Sequence, residues 1–196
     1  YVASVFMVLA ALPFVRYVQM INGNQIAIFH DSQVRTFLAI IGVLVVVTVS
    51  VLLSVFPHHP EQALREALFN ITSIISGTGY ASVDYMLWGP FLVVLFFFIG
   101  LIGGCAGSTA CSIKVFRYQL LFASIKVQLR KIRAPHGVFT PRYDGRVVSD
   151  DVLSSVISFF VFFVVTLGVM SVALGMTGLD FITSVSGAAT SIANVG

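Results

Sequence analysis

Two short glycine turns carry backbone groups that could bind a cation. They are SGTGY, residues 76–80, and ANVG, residues 193–196. Each follows a moderately apolar segment, residues 61–76 and 179–193, which is too short to span a bilayer and is typical of re-entrant helices. A helix that enters from outside points the partial negative charge of its C-terminus toward the membrane centre. The two turns therefore predict a cation site at that depth.

The glycines of the first turn favour a site made of carbonyl groups. Gly77 or Gly79 permits the backbone dihedrals that turn carbonyls toward one axis. Rings of backbone carbonyls replace the hydration shell of the ion in potassium filters, whose signature is TVGYG. The stretch GTGYA, residues 77–81, is a relaxed version of it, although a plain loop is the alternative because Thr-Gly-Tyr is common. We predict an ion filter that contains Gly77, Thr78, Gly79, Tyr80, Asn194, Val195 and Gly196.

A second stretch of small residues, GLIGGCAGSTACSIK, follows directly on an apolar run. Each of its glycines costs about 1 kcal/mol relative to Ala in a helix, which favours a break in the helix. The spacing also forms two GxxxG pairs, Gly100 with Gly104 and Gly103 with Gly107, which are typical of close helix packing. From these residues alone, a mobile loop and a packing face are both open. Lys114 at the inner end is either a snorkelling anchor or a part of the loop.

The composition identifies an integral membrane protein. Of the 196 residues, 58% are hydrophobic and 10% are charged, whereas soluble domains carry about 25% charge. Eight of the eleven Lys and Arg residues fall between Lys114 and Arg146, as the positive-inside rule predicts for a cytoplasmic segment. The segment shows no nucleic-acid-binding motif, so we expect no nucleic-acid partner.

The longer uncharged segments predict membrane spans. Full spans cover residues 37–56 and 152–174, and a polar cytoplasmic connector covers residues 126–151. The remaining apolar segments are residues 1–15, 86–102 and 115–125. The order of span, short helix, glycine turn and span occurs once completely and once cut short, and a shift of 117 residues lays Gly79 on Gly196. Internal repeats of this kind are common in transporters.

Other chemistries fit the sequence less well. A phosphate-binding P-loop requires Gly-Lys-Ser/Thr at its end, and Lys114 lies too far from the glycines. Cys105 and Cys111 have no nearby histidine that would suggest zinc, and we expect no disulfide inside a membrane segment. We therefore predict a protein that is not an enzyme and that has no organic cofactor.

Three stretches resemble the Trk/Ktr/HKT superfamily of potassium transporters, and most closely the membrane subunit of Trk potassium uptake. They are ALFNITSIISGTGYAS, GGCAGSTACSIKVFR and TSIANVG. The resemblance implies an all-α integral membrane protein of four span–pore helix–span units around a pseudo-fourfold pore. Residues 1–33 would end the second unit, residues 34–148 would form the third and residues 149–196 would begin the fourth. Since the first residues already look like the interior of a span, we expect a partial chain.

The resemblance also implies that the small-residue stretch is a gate beneath the filter. The gate residues would be Gly103, Gly104, Cys105, Ala106, Gly107, Ser108, Thr109, Ala110, Cys111, Ser112 and Lys114. The family pattern has glycines where this chain has Cys111 and Ser112, which puts the mobility of the inner end in doubt. The alternative function is a structural membrane subunit packed through its GxxxG pairs, with no ion path.

Further expectations rest on the same resemblance. The chain would take part in potassium uptake, by symport, in a multi-pass protein of the bacterial inner membrane. The potassium ion would be its only cofactor. Its partners would be a cytosolic nucleotide-binding regulatory ring, a second copy in a homodimer and the lipid bilayer.

Overall fold

The chain folds mainly into helices joined by short irregular segments. The structure, a computed structural model, describes residues 1–23, 26–55, 59–134, 137 and 139–195. Contacts divide the chain into two compact units, Tyr1–Val115 with Ala189–Gly196 and Phe116–Ala188. The predicted filter residue Gly196 lies outside the described residues.

The first apolar segment is broken rather than continuous. Helix α1 covers Val2–Ala10, helix α2 covers Phe14–Ile21, and their axes differ by 94°. The expectation of one helix over residues 1–15 is therefore wrong. The break falls at Pro13, whose ring removes an N–H group and disfavours helical backbone at the residue before it. The break leaves backbone groups near Ala11 without partners in their own helices.

The first full span is helix α4, which covers Ser32–Val55 and follows the short helix α3, Ala27–His30. It begins before the predicted start at residue 37 because Asp31 caps it. The carboxylate of Asp31 accepts a hydrogen bond from the Gln33 N–H at 2.9 Å. The buried side chains of α4 recur at intervals of three or four and form one stripe: Val34, Phe37, Ile41, Val45, Thr48 and Leu52.

Helix α5 covers Pro60–Ser76, close to the predicted short segment, and lies at the centre of the first unit. It packs against α1, α4 and helix α6, Pro90–Gly100. Residues 70–75 are all buried, so protein surrounds this part of the helix on every side. A helix that faced lipid would expose one side. The burial therefore suits a short helix held inside the protein, with Pro60 at its first turn and Gly77 after its end.

The predicted apolar segment over residues 86–102 is only partly helical. A 3-10 turn at Tyr85–Trp88 precedes α6, and Gly89 with φ +98° separates the two. The rings of Tyr85 and Phe96 stack at 4.9 Å, which fixes the turn on the helix. Helix α6 rises about 16 Å, roughly half of the hydrocarbon core of a bilayer. The chain is irregular from residue 101 to residue 114.

The polar connector contains more regular structure than we expected. Helix α7 covers Val115–Arg133 and so continues beyond the apolar part that was predicted to end at residue 125. Its last turn carries Arg130, Lys131 and Arg133, whose positive charges favour the C-terminal end of a helix. A small hairpin follows, with strand β1 at Arg142–Tyr143 and strand β2 at Arg146–Val147.

Helix α8 covers Asp150–Gly175 and confirms the predicted second full span. Helix α9 covers Phe181–Ala193 and corresponds to the second short segment. Within the described residues, α4 and α8 are long and apolar enough to cross a membrane, and the bent pair α1–α2 makes a third candidate if it is one broken span. Most apolar side chains of α8 are exposed in this chain, as lipid-facing side chains are.

Candidate functional site

The turn after α5 begins with a left-handed residue and folds back onto the helix. Gly77 has φ +81° and Gly79 has φ +76°, a conformation that suits glycine. The carbonyl of Ser73 accepts hydrogen bonds from the N–H of Thr78 at 2.9 Å and of Gly79 at 3.3 Å. The N–H of Gly77 donates to the carbonyl of Ile74 at 3.0 Å, so the helix ends in a Schellman motif. The N–H groups of the turn are therefore occupied by α5.

The carbonyl groups of the same turn, residues 77–80, have no hydrogen-bond donor among the residues that the structure describes. Buried or membrane-embedded carbonyls without partners are costly unless water or an ion satisfies them. The turn thus presents acceptors that a cation could use, on the helix end that carries partial negative charge.

The chain that leaves this turn is clamped by a buried amide. The side chain of Asn70 on α5 donates to the Ser82 hydroxyl at 3.0 Å, and its oxygen accepts the Ser82 N–H at 3.0 Å. Asn70 also donates to the carbonyl of Glu66 at 2.8 Å. We did not predict this role, although an amide in a short, moderately apolar segment is a signal that could have revealed it, since a buried amide needs hydrogen-bond partners.

The end of α9 repeats the geometry of the end of α5. Asn194 has φ +53°, and the N–H of Val195 donates to the carbonyl of Thr190 at 3.1 Å. Shifting the first turn by 117 residues lays Gly77 on Asn194 and Thr78 on Val195.

At the start of α9, the hydroxyl and N–H of Thr183 donate to the Asp180 carboxylate, and these hydrogen bonds lower the pKa of Asp180 below its ordinary value.

The loop of residues 103–112, which we call the small-residue loop, is bound to the break between α1 and α2. The N–H of Cys105 donates to the carbonyl of Ala11 at 3.0 Å, and the N–H of Thr109 donates to the carbonyl of Ala10 at 3.2 Å. In the reverse direction, the N–H of Phe14 donates to the carbonyl of Gly107 at 3.0 Å. The backbone groups freed by the Pro13 break are the partners of this loop.

The glycines of the small-residue loop serve close backbone contacts. A Cβ on Gly104 would lie 2.7 Å from the carbonyl oxygen of Ala11, and one on Gly103 would overlap the carbonyl of Cys111. Because residues 101–114 are not helical, the two GxxxG pairs do not form one helix face. The ammonium of Lys114 donates to the carbonyls of Ser108 and Ala110 and closes the loop from its inner side.

The inner end of the small-residue loop meets the ends of both short helices. The N–H of Ser112 donates to the carbonyl of Ala193 at 2.9 Å, and its hydroxyl donates to the carbonyl of Gly100 at 2.5 Å. The amide of Asn194 donates to the Cys111 sulfur at 3.4 Å. A Cβ on Gly77 would lie 2.8 Å from that of Cys111, so the two residues are in close contact.

The structure thus brings the described part of the predicted site together. Residues 77–80, residues 194–195 and the small-residue loop all lie in the first compact unit. The basic residues of the connector belong to the second unit. Residues at the α1–α2 break, together with Asn70, Ser82 and Gln33, contact the site but were not predicted from the sequence.

Comparisons with known proteins agree on one family. The family model described as "TrkH: Cation transport protein" matches residues 2–196. The chain is 38% identical to the Trk system potassium uptake protein TrkI of Halomonas elongata over 197 residues, covering 100% of this chain and 40% of that protein. It is 32% identical to the Trk system potassium uptake protein TrkH of Vibrio parahaemolyticus over 172 residues, covering 86% of this chain and 35% of that protein.

A solved structure is similar over almost the whole chain. The crystal structure of the potassium transporter TrkH from Vibrio parahaemolyticus matches with a TM-score of 0.93 and 29% identity. The match covers 98% of this chain and 42% of that one. The chain therefore spans about 40% of the length of the relatives it matches.

Proposed function

Because this chain belongs to the TrkH family of cation transport proteins, we propose that it forms part of a pore for potassium uptake across a membrane. In this proposal, the carbonyls of Gly77, Thr78, Gly79 and Tyr80 coordinate potassium in succession. The turn of residues 194–196 supplies a second wall of the same path. The small-residue loop obstructs the path on the inner side and must move for ions to pass.

The observation that carries the proposal is which backbone groups of residues 77–80 have hydrogen-bond partners. The two N–H groups that follow Gly77 bind the carbonyl of Ser73, while the carbonyls of the turn have no partner among the described residues. The turn is therefore rigid and rich in free acceptors. Potassium needs oxygen ligands that replace its hydration shell, and backbone carbonyls supply them without a negative charge.

The gate role is supported by the position of the small-residue loop, which contacts the C-terminal ends of both α5 and α9. Cys111 contacts Gly77 and Asn194, and Ser112 binds the carbonyl that precedes Asn194. An ion that left the turns toward the cytoplasm would meet these two residues. The other loop residues have small side chains, so displacement of the loop removes few packing contacts.

The cellular setting follows from the family. We propose a multi-pass protein of the bacterial inner membrane, which works as a homodimer with a cytosolic nucleotide-binding regulatory ring. The exposed basic end of α7, with Arg130, Lys131 and Arg133, is a suitable docking surface for that ring. Coupling of potassium to a second ion by symport belongs to the same proposal.

The test of the ion path replaces Gly79 with Ser in the intact protein, reconstituted in liposomes. At φ +76°, a side chain strains the backbone and shifts the carbonyls. We expect the preference for potassium over sodium, measured from reversal potentials, to fall about 10-fold, which corresponds to roughly 1.4 kcal/mol of lost selectivity. The control is Gly145→Ser, which adds the same side chain at φ +78° with no neighbour within 4 Å, in the hairpin. Unchanged selectivity in Gly79→Ser would contradict the assignment.

A further inference from the structure

One side chain outside the predicted gate holds the small-residue loop. The side-chain oxygen of Gln33, in the first turn of α4, accepts a hydrogen bond from the N–H of Ala106 at 2.9 Å. The two residues are 73 positions apart in the chain. The neighbouring Gly107 is exposed, and a Cβ placed there would have no neighbour within 4 Å. The loop thus has open space beside the point where Gln33 holds it.

The acceptor itself is held in place by an ion pair whose carboxylate is buried. The N–H of Gln33 donates to one carboxylate oxygen of Asp31 at 2.9 Å. The other oxygen accepts from the Arg16 side chain of α2 at 2.7 Å, and Asp31 is only 4% exposed. The bond from the Arg16 guanidinium to this carboxylate is charge-assisted, and such hydrogen bonds are stronger than neutral ones. The pair therefore fixes the start of α4, and with it the position of Gln33 relative to α2.

At the α1–α2 break the partners of the loop are backbone groups, whereas at α4 the partner is a side chain. The bonds from Cys105 and Thr109 to the α1–α2 break join backbone to backbone, so they separate only if the backbone moves. The bond from Ala106 to Gln33 ends on a flexible side chain, and a change of rotamer releases it without moving α4. This contact can therefore open first.

We propose that Gln33 is a positioning residue that keeps the small-residue loop in its obstructing position, and that the Arg16–Asp31 pair fixes Gln33. The inference rests on the proposed gate function of the loop. A shift of α2 or of the α4 start would withdraw the acceptor from Ala106. Movements at the cytoplasmic ends of these helices would then release the loop without any contact to the filter turns.

The test compares Gln33→Leu with the wild type in the intact protein, reconstituted in liposomes. Leucine has a similar size but no acceptor, so the N–H of Ala106 loses its partner. We expect the potassium flux per assembled protein to rise about 5-fold. Loss of one ordinary hydrogen bond changes the ratio of the released to the obstructing state of the loop by about this factor. The potassium-to-sodium preference is expected to stay unchanged. If Gln33→Leu does not assemble, Gln33→Met removes the amide with a more flexible side chain.

The matched control is Gln62→Leu, which changes the same residue type in the first turn of α5. Gln62 is also half-buried and donates one side-chain hydrogen bond, to Glu66 at 2.8 Å, but does not contact the loop. We expect its flux to equal that of the wild type. A gain of flux in this control would overturn the special role of Gln33.

A second measurement separates the position of the loop from ion transport. In a Cys105→Ala background, the rate at which a polar maleimide labels Cys111 reports how often the loop leaves the helix ends. We expect Gln33→Leu to accelerate this labelling about 5-fold. Faster labelling without potassium flux in any variant would support the tether and overturn the ion path. Unchanged labelling would overturn the tether, whatever the flux.

Discussion

Two irregular stretches of backbone in the same unit are held by different sets of partners. The filter turn, residues 77–80, and the residues that follow it are fixed by their own helix, through Ser73 and Asn70. These partners lie 5 to 12 positions away in the chain. The small-residue loop has local bonds to Gly100 and from Lys114, but it is also held by partners from 73 to 99 positions away, at the α1–α2 break and on α4 and α9.

In the proposed function, this difference separates selectivity from gating. Local contacts form with α5 and persist as long as α5 is folded, so the filter turn keeps one geometry. The distant contacts of the loop depend on where other helices lie, and each is a single hydrogen bond of about 1 kcal/mol. A small displacement of those helices releases the loop and leaves the filter turn intact. Variants at the two stretches should therefore change different properties.

The largest effect is expected from shortening the loop by deletion of residues 105–109. The deletion removes the contacts with Ala10, Ala11, Phe14 and Gln33. Several lost hydrogen bonds of about 1 kcal/mol each should raise the potassium flux on the order of 10-fold or more. Flux in liposomes and assembly by size-exclusion chromatography are measured together. Loss of assembly without a gain of flux would favour the structural membrane subunit instead.

The next largest effect is expected at the clamp of the filter turn. Asn70→Ala removes both hydrogen bonds to Ser82 and should lower the free energy of unfolding by about 2 kcal/mol. We expect the potassium-to-sodium preference to fall several-fold, because the chain after the turn loses its anchor. Thermal unfolding and reversal potentials measure the two effects.

The control for this clamp is Ser54→Ala, since Ser54 is exposed on α4 and bonds only within its helix. It should change neither property. If Asn70→Ala instead raised the flux and kept the selectivity, the separation between the two stretches would be wrong.

The smallest effect is expected at Ser112, where two substitutions should differ in a defined order. Ser112 has φ +60°, which costs a residue with a side chain about 1–2 kcal/mol. Ser112→Ala keeps this strain and loses the hydroxyl bond to Gly100, so the flux should rise about 5-fold. Ser112→Gly loses the same bond but relieves the strain, and its flux should stay within about 2-fold of the wild type. A larger gain for Gly than for Ala would show that the strain at this residue does not favour release of the loop, and an unchanged flux in Ser112→Ala would show that the hydroxyl bond does not hold it.

Sequence patterns predicted the elements whose determinants are local. The uncharged runs predicted the spans α4 and α8, and the short segments before glycine predicted α5 and α9. Gly77 and Gly79 were predicted to adopt unusual dihedrals, and both have positive φ. The accumulated glycine penalty predicted the end of helical structure near Gly100.

The two helix boundaries that the sequence did not predict have physical reasons as well. The break at Pro13 was overlooked because the apolar composition on both sides resembles one span, although proline is a strong local signal. The continuation of α7 to Arg133 was overlooked because charge was taken as a sign of a loop, whereas Lys, Gln, Leu and Arg all favour helix.

By itself, the sequence determined the membrane class, the two short helices and the glycine turns, since hydrophobic runs and backbone dihedrals depend on neighbouring residues. The distant partners of the small-residue loop depended on tertiary structure alone. No local pattern links Ala106 to Gln33 or Ser112 to Ala193, which lie 73 and 81 positions apart. A backbone N–H has the same chemistry in every residue, so which carbonyl it meets is decided only when the helices pack.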